Sequence, residues 1–228
     1  MENPAKRYFP LTRIQRLIGE RMLRSKLTKP CFYISSQADM TELMALRREL
    51  SKSLGVKITS NTFFIRALAL AAREHPVVVG TFDGDSIVLA GAINVGFAVD
   101  SPQGLVVPVI RNADKRSLSE IAGLDALLTD KARHNKLTLE DIEGETIALS
   151  NLGAYGIDSF IGIAPPPTSA ILAAGNVVRT IVPNGGKLAV RKIVDLSLAV
   201  DKRVMNESYA AQFLSCIAGK LQDPQQLI

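Results

Sequence analysis

A chain of 228 residues, 47% of them apolar and with a formal net charge of +5, can bury one substantial core, so a single α/β domain over residues 1–228 is expected. Only Cys31 and Cys216 are present, with no CxxC spacing and no histidine beside them. That excludes a disulfide framework and a zinc site and points to a reducing, intracellular setting.

The opening Met1–Pro10 is polar, and Arg66, Arg73 and Pro108 cut the longest apolar runs, so neither a leader nor a membrane span is expected and the chain reads as soluble. Thr12 and Gln15 form a capping box for a first helix that ends before Pro30. Its cations, Arg13, Arg16, Arg21, Arg24, Lys26 and Lys29, fall between Ile14, Leu17, Ile18, Met22 and Leu23. They read as the solvated face of an amphipathic helix rather than a nucleic-acid footprint, because no aromatic interleaving or reader motif accompanies them.

A strand is expected over Cys31–Ala38, then a helix opened by a second capping box, Asp39 with Glu42, and stopped by Gly55. A third helix from Ser60 or Asn61 is apolar on most faces and closes at His75 and Pro76. Ile87–Leu89, Ile93–Val99 and Leu105–Ile110 read as strands, and Ser117 with Glu120 caps a further helix. Thr146–Leu149, Ala170–Ala174, Ile181–Pro183 and Lys187–Val200 return to β structure around a Gly185–Gly186 turn, before a last helix over Ser208–Leu221. Strands and helices alternate without a strict βαβ period, which implies a mixed sheet covered by helices.

No GxGxxG follows a strand and no Walker loop is present, so hydride and phosphoryl transfer have no cradle. His75 sits at a helix end and His134 in a basic loop. Both read as structural or exposed, and no Ser-His-Asp triad can be assembled. More informative is the run from Leu198 to Leu214, which places Asp201, Lys202, Arg203 and Asn206 between a strand and a helix.

That run resembles the closing signature DHRxx(D/N)GxxAAxFL of the lipoamide-dependent acyltransferases, the second component of 2-oxo acid dehydrogenase complexes. Ile14–Lys26, Pro30–Tyr33, Asp39–Thr41, Gly104–Val109, Ile147–Gly153 and Ala170–Leu172 extend the similarity over nearly the whole chain. The resemblance implies a chloramphenicol acetyltransferase-like α/β fold and a metal-free transfer of acyl groups between dihydrolipoamide and coenzyme A, in a channel where two subunits of a homotrimer meet. It places Ser150 at the oxyanion-stabilising position and Asn206 at the Asp/Asn position. It also implies lipoyl-domain or dehydrogenase-complex partners, although neither a lipoyl nor a peripheral-subunit-binding domain is read in this chain. The ending, Asp223–Ile228, resembles one whose apolar residues, here Leu227 and Ile228, join trimers into a cube or dodecahedron.

Two positions depart from the signature: Lys202 stands where the family has the histidine base, and Glu207 where it has glycine. An ordinary histidine titrates near about 6.5 and is mostly free to accept a proton at pH 7, whereas an ordinary lysine near about 10.4 offers about one neutral amine in 2,500. Pro165 also stands where the family often has asparagine. The expectation is an impaired or inactive acyltransferase core that persists as an oligomeric scaffold. The alternatives are an active acyltransferase in which Lys202 is an unusual base, and a binder of coenzyme A or an acyl ligand.

Overall fold

The computed structural model of the chain describes residues 8–228, the side chain of Asn184 excepted; most of Met1–Pro10 lies outside the described residues. In chain order the elements are α1 (Arg13–Thr28), β1 (Cys31–Asp39), α2 (Thr41–Ser53), α3 (Ser60–Glu74), β2 (Gly80–Asp83), β3 (Ser86–Leu89), β4 (Val95–Phe97), β5 (Val99–Ser101), β6 (Gly104–Val106), β7 (Val109–Ile110), α4 (Leu118–Arg133), α5 (Leu139–Ile142), β8 (Ile147–Asn151), β9 (Ala170–Asn184), β10 (Lys187–Asp201) and α6 (Glu207–Gln222). Six strands form one sheet in the order β1-β10-β9-β8-β4-β7, while β2–β3 and β5–β6 pair separately. β8 runs parallel to both β9 and β4, and the other ladders are antiparallel, which makes the sheet mixed as expected.

The period-2 alternation of strands sorts the sheet into two faces. Ile147 and Leu149 of β8, Ala170, Leu172 and Ala174 of β9, and Val194, Leu196, Leu198 and Val200 of β10 join the main core with Phe63, Phe64 and Phe213 from α3 and α6. Ala148, Ile171 and Ala199 point the other way and meet Ala164 in a small second cluster. By this alternation Ser150 belongs to that second face, opposite the main core.

Capping chemistry holds where the sequence placed it for α1 and α4: Thr12 with Gln15 and Ser117 with Glu120 form reciprocal boxes. For α2 it does not. Asp39 is still paired to Ile193 in the sheet, its carboxylate accepts from the Thr41 N–H at 2.9 Å, and the helix starts one residue later than a box with Glu42 requires. The strands expected over Ile93–Val99 and Leu105–Ile110 are each broken in two, because Pro108 has no N–H for a ladder and its carbonyl instead accepts from Phe97 at 3.0 Å. Conversely, Ala170–Ala174 and Ile181–Pro183 belong to one 15-residue strand, paired to β10 through a hairpin whose two turn residues, Gly185 and Gly186, both have positive φ (56° and 79°).

The chain end also departs from expectation. Leu227 is fully buried in its own core at 0% exposure, so it is not a free anchor for a neighbour, whereas Ile228 is 57% exposed. Among the described residues no helix is long and apolar enough to cross a membrane.

Candidate active site

Ser150, near the end of β8, sits opposite Ala173 of β9, which in turn faces Ser197 of β10. On one side it lines an apolar cavity of about 430 Å³ with Ile14, Ile18 and Met22 of α1 and with Leu105 and Ile163. On the other it lines a more polar cleft of about 780 Å³ with Asn61, Asp125, Asn151 and Tyr155. The serine hydroxyl therefore stands at the junction of an apolar and a polar space, a position from which it could donate to a developing oxyanion.

The wall of the apolar cavity is held by α1: Arg13, Arg16, Arg24 and Lys26 are exposed as a solvated face should be, whereas Arg21 and Lys29 also bind a neighbouring loop. Arg21 and Ser25 lie one turn apart on one stripe of α1, and Lys29, the residue that ends the helix, continues that side. Arg21 donates to the Pro166 carbonyl and pairs with Glu145 at 2.6 Å, the Glu145 side chain being only 3% exposed. Ser25 donates to the Ala164 carbonyl at 2.5 Å, and Lys29 to the carbonyls of Ala164, Pro165 and Thr168 at 3.3, 3.2 and 2.5 Å. A loop containing Pro165, Pro166 and Pro167 cannot bond through its own prolyl nitrogens, and the helix supplies donors to its carbonyls. Burial pushes the Lys29 amine below its ordinary range, against the pull of Asp201. By contrast, Leu17 and Leu23, expected on the buried stripe, are exposed.

In the polar cleft, the buried Asp125 of α4 accepts from Thr59 (3.1 Å), Asn61 (2.9 Å) and Thr62 (3.4 Å) at the start of α3. Burial raises its carboxyl above the ordinary range, and the three bonds only partly oppose that. The sequence reading missed this cluster. The Thr59–Thr62 capping box was its available signal, because the same hydroxyls that cap α3 face α4.

Lys202 follows β10 directly, and its backbone N–H donates to the Pro30 carbonyl at 3.1 Å. Its ammonium is paired with the Glu207 carboxylate and lies 5.6 Å from the centroid of the Phe32 ring. The pairing holds the Glu207 carboxyl below its ordinary range. Asn206 caps α6, its side-chain oxygen accepting from the Tyr209 N–H at 2.9 Å. Between them, Arg203 grips the buried Asp201 through two bonds of 2.9 and 2.6 Å and lies over Phe82. The two histidines take no part: His75 packs edge-on against Tyr209 and Phe213, and the exposed His134 contacts the carbonyl of Asp130.

One chain does not bring Ser150 and Lys202 together. They are two strands apart, and Lys202 lies five residues along β10 from the row Ser150–Ala173–Ser197, a separation of roughly 19 Å from ideal strand spacings. A family model described as 2-oxoacid dehydrogenases acyltransferase (catalytic domain) matches residues 3–228. The chain belongs to this acyltransferase family. Among curated relatives it is 33% identical to the dihydrolipoyllysine-residue acetyltransferase component of the pyruvate dehydrogenase complex of Rickettsia bellii, covering 97% of this chain and 54% of that one. It is 32% identical to the mitochondrial pyruvate dehydrogenase protein X component of Mus musculus, over 96% of this chain and 44% of that one. The chain thus spans about half the length of the curated relatives it matches.

Solved acyltransferase cores superpose closely. One, from Azotobacter vinelandii, was determined to investigate the role of a serine, a histidine and an asparagine in the catalytic mechanism of its dihydrolipoamide acetyltransferase. It gives a TM-score of 0.93 at 32% identity, covering 97% of this chain and 93% of that one. A probable dihydrolipoamide acetyltransferase from Listeria monocytogenes gives 0.92 at 32% identity, over 96% of each chain. Chloramphenicol acetyltransferase, at 16% identity and a TM-score of 0.52 over 89% of this chain and 94% of that one, shares the fold.

Proposed function

We propose that this chain is a pseudoenzyme core of a 2-oxo acid dehydrogenase-type assembly: a single acyltransferase domain that serves as an oligomeric scaffold and has lost its proton-transfer base. The observation that carries the reading is the Lys202–Glu207 ion pair, which occupies the base position with a cation already committed to a carboxylate. A thiol nucleophile at neutral pH needs a proton acceptor, and a carboxylate-bound ammonium is none.

The assignment of positions is supported by spacing. In the Azotobacter vinelandii enzyme the serine precedes the histidine by 52 residues and the histidine precedes the asparagine by 4, the same intervals that separate Ser150 from Lys202 and Lys202 from Asn206. The roughly 19 Å gap between Ser150 and Lys202 within one chain favours a site assembled from two subunits of a homotrimer, with Ser150 supplying the oxyanion donor and Asn206 holding the loop that carries Lys202. The two spaces that meet at Ser150 suit the two thiol substrates of the family, dihydrolipoamide and coenzyme A. Partners are then lipoyl domains and dehydrogenase subunits carried on other chains or other segments.

Acetyl transfer from acetyl-coenzyme A to dihydrolipoamide tests this reading. Transfer at the level of the uncatalysed reaction is expected, with a trimeric or larger particle in solution. Turnover that disappears on Ser150→Ala would overturn the reading in favour of an active enzyme using Lys202 as base, and a monomer would remove the scaffold.

A further inference from the structure

The two departures from the family signature, Lys202 and Glu207, stand five residues apart, and the fold turns them into one unit. Val204 and Met205 return their N–H groups to the Asp201 carbonyl at 3.0 and 3.2 Å, which reverses the chain immediately after β10. Asn206 then caps α6, so Glu207 opens the helix with its side chain against the Lys202 ammonium. At the positive end of a helix dipole a carboxylate is favoured in its charged form. The Glu207 carboxyl is accordingly held down, first by Lys202 and then by a hydrogen bond from its own backbone N–H.

The other charges around this turn are already engaged. Asp201 and Arg203 satisfy each other, and Lys29 is bound to the carbonyls of the proline loop. Cys31, across the ladder from Asp201, is kept a neutral thiol by burial. Phe32 faces the amine with a ring and brings no titratable group.

We infer that Glu207 is a second determinant of the silent site: its carboxylate engages whatever basic group occupies position 202, so an imidazole restored there works below its full capacity until Glu207 is also replaced. The inference rests on reading position 202 as the seat of the base. An imidazole facing a carboxylate has its charged form stabilised, and the neutral form that accepts a proton is depleted at neutral pH. Glu207 acts through residue 202 and is a positioning residue.

The test compares Lys202→His with the double variant Lys202→His/Glu207→Gln in the full chain. The imidazole is titrated by NMR, and acetyl transfer from acetyl-coenzyme A to dihydrolipoamide is followed from pH 6 to 9. The imidazole of the single variant is expected to titrate about 0.5–1 pH unit above that of the double variant, the scale of an exposed ion pair. Transfer by the double variant is expected to be severalfold faster below about pH 7, converging with the single variant as the pH rises. Identical titrations, or equal rates across the range, would overturn the role of Glu207.

A measurement on the native lysine covers the case in which the histidine variants do not fold. Labelling of Lys202 by acetic anhydride, mapped by peptide mass, is expected to quicken about twofold to fivefold in Glu207→Gln, and an unchanged rate overturns the inference. Turnover by the unmodified chain would overturn the pseudoenzyme reading while leaving the titration difference intact, so the two failures are separable.

Discussion

Lys220 of α6 donates to Glu74 of α3 at 2.6 Å, with the lysine side chain only 9% exposed and the carboxylate side chain 51% exposed. The bond to Lys220 is the main reason the Glu74 carboxyl lies below its ordinary range. A depressed folded-state pKa contributes stability that is fully present above the unfolded value and is lost as the pH falls through the folded one. Glu74→Ala is expected to cost about 1 kcal/mol at pH 7, the half-exposed carboxylate being screened by water, and to cost progressively less below the ordinary carboxylate range. Urea midpoints at pH 7 and pH 3 check this, and an equal loss at both would disprove the linkage.

Asp125 shows the opposite sign. Burial raises its carboxyl, so the folded chain holds the proton more tightly than the unfolded one, and stability declines as the pH rises from the unfolded value through the folded one. Asp125→Asn removes that slope while the Thr59 and Thr62 hydroxyls can turn to its amide. The expected outcome is a flatter stability profile between about pH 4 and pH 7 and a gain of up to about 1 kcal/mol at pH 7. A loss at pH 7 would show that the carboxylate is required in its charged form.

Two glycines give a matched pair. A Cβ on Gly175 would lie 1.7 Å from the carbonyl oxygen of Asp158, so the segment after β8 packs directly on the β9 backbone. Gly175→Ala is expected to cost about 3 kcal/mol or more and to shift the loop beyond Ser150. Gly123, inside α4 with open space around its Cβ position, is expected to gain about 0.5–1 kcal/mol as alanine. Thermal midpoints moving in opposite directions would bear out both.

Glu145 depends on Arg21 for its charge partner. Arg21→Ala is expected to destabilise by about 2–4 kcal/mol, and the double variant Arg21→Ala/Glu145→Gln should recover part of that loss, because the second change removes the stranded charge. Strict additivity in the double-mutant cycle would show that the pair is not coupled.

Much of the fold was legible because its signals are local. Thr12, Ser117 and the Gly185–Gly186 pair mark boundaries through chemistry that acts within three or four residues. Asp39–Glu42 carries the same letters as a true cap but fails, because a tertiary ladder with Ile193 claims Asp39 first. The solvated face of α1 was legible for Arg13, Arg16, Arg24 and Lys26, but the second role of Arg21 and Lys29 was not, because it depends on a loop more than 130 residues away that lacks prolyl N–H donors. For the candidate site, the resemblance singled out Ser150, Lys202 and Asn206 one by one. That Glu207 reaches back to Lys202 depends on the tight reversal after Asp201, which residue types alone do not report.

The stripe of Arg21, Ser25 and Lys29 has a mechanical corollary. Peeling α1 and the following Lys29 from the proline loop would remove donors from four carbonyls and strip the buried Glu145 of its ion-pair partner. That wall of the cavity is therefore bolted at several points along its length rather than hung from a single hinge.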